Sequence, residues 1–143
     1  MTTQLDKFKQ SGVVPVRRRK KKLQVLVITT RRGKKWGVPK GIIEADLTPQ
    51  QSAAKEAFEE AGIRGVVHND AIGEYMYEKW GGTCHVKLYM MQVNEEVKKW
   101  PEAFRKRKWV SFDKATKLVE NDSLKILLQN LGVQLANDGQ LLS

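Results

Sequence analysis

Apolar positions in the first part of the chain fall into two runs, "VVPV" at 13–16 and "LQVLVITT" at 23–30. Both are short, rich in β-branched residues and bounded by charge, which predicts two strands. Past residue 48 the period changes. Ala53, Ala54, Ala57, Phe58 and Ala61 gather on one face of a helix, and Glu56, Glu59 and Glu60 fall together on the other. Thr48 suits the N-cap, Pro49 the first helical position and Gln51 the third residue of a capping box, while Gly62 stands where a left-handed C-cap is wanted. The helix is therefore predicted over Pro49–Ala61, its alanines letting it lie close to a sheet. Strand composition returns in "AIGEYMYEKW" and "TCHVKLYMMQV", with Gly81 and Gly82 as the hairpin turn, and again in "KRKWVSF" at 106–112. "DKATKLV" and "SLKILLQNLG" read as two short helices, the second stopped by Gly132 and covering the sheet. Strands, a helix, more strands and then helices predict an α/β or α+β sandwich, a mixed sheet flanked by helices.

At 143 residues the chain has room for one domain. Residues 1–12 are polar and expected to be a flexible N-terminus, 13–132 the domain, and 133–143 a C-terminal tail with little signal. The N-terminal stretch lacks the apolar run of a signal peptide and Cys84 has no second cysteine to bridge to, so a reducing, cytoplasmic location is expected, with no membrane span. Cys84 reads as a small buried hydrophobe. His68 and His85 have no third ligand and do not suggest a metal site.

Charge changes the picture more. Lys plus Arg number 26 against 16 Asp plus Glu, a net charge of +10 that favours polyanionic partners: nucleic acid, anionic lipid or phosphate-rich small molecules. Residues 17–22, "RRRKKK", are six consecutive cations whose repulsion forbids a packed position, so a solvent-facing hairpin loop is expected between the first two strands. A nucleic-acid or nuclear-targeting patch has the same composition.

Against that background the three glutamates stand out. Glu56 and Glu60 at i,i+4 destabilise a helix by a few tenths of a kcal/mol, and Glu59 adds to the cost. No basic residue shares their face; Lys55 is on the flank. Hard divalent cations demand compact oxygen ligands, which adjacent helical turns supply. The preceding "WGVPKG" permits a tight backbone path and is accompanied by Arg31, Arg32, Lys34, Lys35 and Lys40, as a phosphorylated substrate would require.

The stretch "GIIEADLTPQQSAAKEAFEEAGI", residues 41–63, resembles the Nudix box, Gly-x5-Glu-x7-Arg-Glu-U-x-Glu-Glu-x-Gly-U with U apolar, and Gly41, Glu56, Ala57, Glu59, Glu60, Gly62 and Ile63 stand at matching positions. Leu47 replaces the usual first Glu and Lys55 the usual Arg, which leaves Glu44 in the loop as a partner for Lys55. The resemblance spans about Val13 to Leu131 and implies a Nudix-type α/β/α sandwich containing the loop-helix-loop. It also implies a hydrolase that cleaves a phosphoanhydride with Mg²⁺, or Mn²⁺ in its place. Glu56 and Glu60, with the backbone carbonyl of Lys40, would hold the metal, and Glu59 would activate water.

For the substrate, "KKWGVPKG" resembles two subfamilies, the diphosphoinositol polyphosphate phosphohydrolases and the diadenosine polyphosphate hydrolases, and "VNEEVKKWPEAFRKRKWVSFDKATKLV" is more like the first. Arg31 and Arg105 fall where that subfamily contacts phosphates, next to Lys40 and Gly41, and Arg105–Lys108 would extend a basic rim. The net charge suits an inositol polyphosphate; a dinucleotide would instead use aromatics such as Trp36, Tyr75, Tyr77, Trp80 and Tyr89. A monomer or homodimer acting on a phosphate-rich small molecule is expected, with nucleic acid the less favoured partner. The alternative is a noncatalytic or weakly active polyphosphate- or RNA-binding module on the same fold.

Overall fold

Consecutive residues of the central strands are buried on opposite faces. Val13 packs with the helix alanines while Val14 packs with the C-terminal helices, and the same split separates Leu26 from Val27 and Tyr89 from Met90. Strands covered on both sides read as unbroken apolar runs, which is why 23–30 showed no alternation. The computed structural model describes residues 6–138. Its strands are β1 (Asp6–Arg19), β2 (Lys22–Thr29), β3 (Trp36–Gly37), β4 (Lys40–Ile42), β5 (Ile63–Lys79), β6 (Gly82–Glu96) and β7 (Arg107–Val110), and its helices α1 (Pro49–Ala61), α2 (Phe112–Leu118) and α3 (Asp122–Asn137). The sheet runs β3-β2-β1-β6-β5, with β4 paired to β1 and β7 to β2. Only β1 and β6 pair in parallel; the other pairs are antiparallel, so the sheet is mixed as expected. Helix α1 covers one face, and α2 and α3 the other.

Helix α1 occupies the predicted span. Thr48 Oγ1 accepts from Gln51 N at 3.1 Å, Gln51 Oε1 accepts from Thr48 N at 2.9 Å, and Gly62 closes the helix at φ 66°. Ala53, Ala57 and Ala61 are fully buried against the sheet.

Several boundaries differ from expectation. Residues 6–12 are not a flexible terminus but the first half of β1, held between β6 and β4; Gln10 and Ser11 are buried there by tertiary contact that a polar sequence does not announce. Residues 1–5 lie outside the described residues. Helix α3 does not stop at Gly132, which lets the helix approach Phe112, and it continues to Asn137 with Leu135 buried; the expected tail thus loses 133–137, and 139–143 lie outside the described residues. Of the six cations at 17–22, only Lys20 and Lys21 form a turn, while Arg17–Arg19 and Lys22 belong to the paired strands. The β5/β6 turn is Trp80–Gly81, at φ 58° and 71°, because Gly82 already pairs with Lys79. Phe112 opens α2 behind the N-cap Ser111 instead of ending a strand. Strand β5 starts directly after α1, and its bulges at 64/65 and between 67 and 73 explain why 63–70 lack a strand rhythm.

Candidate active site

The sheet and α1 together set the three glutamates at one wall of a cavity of about 760 Å³. Glu60 is buried, its Oε1 accepting from Lys40 N at 3.3 Å and its Oε2 lying 3.7 Å from Arg105 Nη2. Burial pushes its pKa up, while Arg105 and Lys40 pull the other way. Glu56, half-buried one turn earlier, has its pKa pushed up to about 8, first by burial and then by Glu60 and Glu59. Glu59 is more accessible than Glu60, and its Oε1 lies 3.6 Å from Lys55 Nζ. The sequence reading of a face without a cation is corrected here: Lys55 reaches Glu59 at i,i+4. It simultaneously donates to both carboxylate oxygens of Glu44, at 3.0 and 2.8 Å, the loop pairing expected for it.

Gly41 passes directly over Glu56; a Cβ at 41 would collide with the carboxylate. Gly41→Ala is therefore expected to swing Glu56 aside and, if a divalent cation is held there, to weaken its binding about 10–100-fold, the range seen when support of a metal ligand is lost, as read by isothermal titration. Unchanged affinity would mean that Glu56 is not where the cation sits.

Lys40 lines the cavity with its Nζ 4.7 Å from the Tyr77 ring, and burial lowers its pKa against the pull of Glu60. Tyr77 in turn donates to Gln10 Oε1 at 2.9 Å. Arg31 and Arg105 reach the same cavity from distant segments. Arg31 is exposed and sits 3.7 Å from Glu102; Arg105 is nearly buried and donates from Nε and Nη2 to Glu102 Oε1 at 3.0 and 2.8 Å. The basic rim expected over Arg105–Lys108 does not form, since Arg105 is the one member lining the cavity among the described residues. Strand alternation turns Arg107 toward α1, where it donates to Ala61 O at 2.8 Å and Val97 O at 2.7 Å, and Lys108 pairs in the ladder with Val27. Of the candidate aromatics, Trp36, Tyr75, Tyr77 and Trp80 line the cavity, whereas Tyr89 is core.

Glu102 was not singled out from sequence. It is a fourth carboxylate beside the box glutamates, and the signal that points to it is its i+3 spacing to Arg105 after Pro101. Its backbone N–H also donates to Glu59 O at 2.9 Å.

No three His, Cys, Asp or Glu side chains among the described residues are gathered closely enough to enclose a metal ion by themselves. Magnesium is usually held by one or two carboxylates plus substrate phosphates and water, and Glu56 and Glu60, one turn apart on α1 and both lining the cavity, are such a donor set. Two neighbouring carboxylates, one of them with its pKa raised by burial and by the other's charge, have the chemistry that a divalent ion satisfies.

The NUDIX domain pattern matches residues 7–130. The chain is 35% identical over 114 residues to "Nudix hydrolase 16, mitochondrial" of Arabidopsis thaliana, covering 73% of this chain and 63% of that protein. It is 29% identical over 99 residues to diphosphoinositol polyphosphate phosphohydrolase 2 of Rattus norvegicus, covering 67% and 54%. It thus spans about three-fifths of the length of the curated relatives it matches. Among solved structures, the C. elegans Ap4A hydrolase superposes with a TM-score of 0.76 at 25% identity, over 90% of this chain and 98% of that one. The MutT protein from Methanosarcina mazei Go1, at 18% identity and a TM-score of 0.69 over 97% and 99%, shares the fold.

Proposed function

The chain belongs to the NUDIX family, and from that premise we propose that it is a Mg²⁺-dependent hydrolase of a phosphoanhydride bond. The observation that carries this reading is the placement of Glu56 and Glu60, one helical turn apart, on the wall of a cavity that Lys40, Arg31 and Arg105 also line. Glu56 and Glu60, with the Lys40 carbonyl, would hold the cation, which when bound would neutralise charge on the diphosphate and favour ionisation of water. Glu59 accepts the proton of the attacking water. The water oxygen bonds to phosphorus, the bridging P–O bond breaks, and the leaving phosphate takes the bond's electron pair. Arg31 and Arg105 hold phosphate oxygens, and Gly41 leaves room for Glu56.

The cavity lining bears on the substrate. It carries five cations, Arg31, Lys35, Lys40, Lys79 and Arg105, against six carboxylates, and Arg31, Arg105 and Lys35 are already near Glu102, Glu60 and Glu120. An inositol bearing five or more phosphates needs a broad surplus of positive charge, which this lining lacks; a dinucleoside polyphosphate needs less and can stack on Trp36, Tyr77 or Trp80. We therefore rank diadenosine polyphosphate above diphosphoinositol polyphosphate. The relatives include both kinds, an Ap4A hydrolase of C. elegans and a diphosphoinositol polyphosphate phosphohydrolase of Rattus norvegicus, so the ranking rests on the cavity lining. Buried Cys84 fits a reducing, cytoplasmic compartment.

The noncatalytic reading is motivated by Leu47 in place of the usual Glu, but Lys55 binds Glu44 and so pins the loop without it. The test is turnover with Mg²⁺ and with excess chelator, across diadenosine polyphosphates, diphosphoinositols, nucleoside triphosphates and capped RNA. Chelator is expected to abolish turnover, and diadenosine polyphosphate to be cleaved at least about 10-fold more efficiently than diphosphoinositol, a preference of about 1.4 kcal/mol. Absence of Mg²⁺-dependent cleavage of every compound would overturn the hydrolase reading.

A further inference from the structure

A balanced cavity leaves the net charge of +10 to be explained elsewhere. Much of it is concentrated at the far end of the β1/β2 ladder. Gln10 lines the cavity, and Arg19 lies nine residues further along the same strand, about 30 Å away at the usual rise. A small substrate in the cavity cannot touch that end.

The hairpin there is built at the expense of its own stability. Lys20 and Lys21 are left-handed, at φ 52° and 65°, in a two-residue turn whose geometry favours Asn-Gly. Lysine in both places adds backbone strain to like-charge repulsion. Arg18, Arg19, Lys20, Lys21 and Lys22 form no ion pair among the described residues, and the contact at the tip is a 3.4 Å bond from Arg18 Nη1 to Lys21 O. At the base, Arg17 donates to Gln24 at 2.8 Å and lies 4.2 Å from the centroid of the Trp109 ring. Arg19 and Lys22 are directly paired one step further out on the same face. Cations therefore recur there about 6.6 Å apart, two strand residues, close to the separation of successive phosphates in an extended single strand. Arg18 projects from the opposite face.

We propose that the β1/β2 hairpin is a nucleic-acid-binding element that grips the phosphate backbone of a single strand without reading its sequence, separately from the catalytic cavity. Cations on both faces of a narrow ribbon suit a strand that wraps it. A flat bilayer would engage one face, residues 18–22 include no apolar side chain to enter lipid, and Trp109 is covered by Arg17.

The experiment is fluorescence anisotropy of a labelled oligouridine across salt concentrations. Five phosphate contacts give a slope of log affinity against log salt of about −3.5. Lys20→Asn with Lys21→Gly keeps the turn and is expected to reduce the slope by about 1.4 while raising the melting temperature by a few degrees. Arg18→Glu with Lys22→Glu is expected to abolish binding, and diadenosine polyphosphate is expected not to displace the RNA. A wild-type protein that does not bind oligouridine overturns the proposal. So does a salt slope unchanged in both variants, displacement by the dinucleotide, or binding to phosphatidylserine vesicles that RNA does not compete away.

Discussion

Glu56→Gln is expected to lower turnover about 10²–10³-fold while making the metal-free protein more stable above pH 8. The two effects share a cause. Glu56 is held near the cavity wall with its pKa pushed up to about 8, by burial first and by Glu60 and Glu59 next, whereas its ordinary value is 4.5. Below pH 4.5 it is protonated in folded and unfolded chain alike. Between that and about 8 the unfolded chain releases the proton and the folded chain keeps it, so stability falls as pH rises through this window and stays low above it. Glutamine imitates the protonated group and escapes this loss. In chelator, the melting temperatures of variant and wild type should coincide near pH 4.5 and diverge toward pH 8.5, the variant being higher. Added Mg²⁺ should lift the wild type at pH 8.5 and leave the variant nearly unmoved. Glu59→Gln leaves the Glu56–Glu60 pair intact, so it should lose turnover while keeping Mg²⁺ and substrate binding. A Glu56→Gln protein no more stable than wild type at pH 8.5 in chelator would mean that the paired carboxylates are not under the strain their positions imply.

The like-charge part of that strain was legible in the sequence because it is local, whereas the burial that adds most to it is set by the fold. Glu56, Glu59 and Glu60 are brought together by one helix, whose ends are set by neighbours: Thr48 and Gln51 at one end and Gly62 at the other. What was not legible depends on segments far apart in the chain. Burial of Gln10 and Ser11 comes from β6 and β4, so residues 6–12 carry no apolar signal of their strand. Arg105 and Glu102 face Glu60 only because the segment before β7 folds back over the end of α1, and a run of four basic residues does not reveal that one points into the cavity and another away from it. Net charge misled for the same reason: it counts cations without placing them, and the structure puts a large share at the β1/β2 hairpin.

The segment that brings Arg105 to the site also holds α1 in place, and Arg107→Ala is expected to cost about 3 kcal/mol of stability. The last carbonyls of a helix have no partner within it. Here Gly62 N donates to Phe58 O, Glu102 N to Glu59 O at 2.9 Å, Trp100 Nε1 to Glu60 O at 3.0 Å, and Arg107 Nη1 to Ala61 O at 2.8 Å. Three of those four donors lie between residues 100 and 107. Arg107 joins them: its Nη2 reaches Val97 O at 2.7 Å, its Nε lies 3.2 Å from Glu96, and its guanidinium stacks 3.9 Å from the centroid of the Trp100 ring. Alanine removes all of these at once and leaves Ala61 O without the Arg107 donor, so the melting temperature should fall by about 10 °C. Arg107→Lys, which keeps the charge but cannot reach both carbonyls and the ring together, should fall between. Because Glu59 and Glu60 offer both the clamped carbonyls and the reacting carboxylates, the loss should reach the site: Mg²⁺ affinity should drop about 10-fold, measured well below the new midpoint. A melting temperature within about 2 °C of wild type would show that α1 is positioned by its alanine face on the sheet, and that the returning segment merely rests against its end.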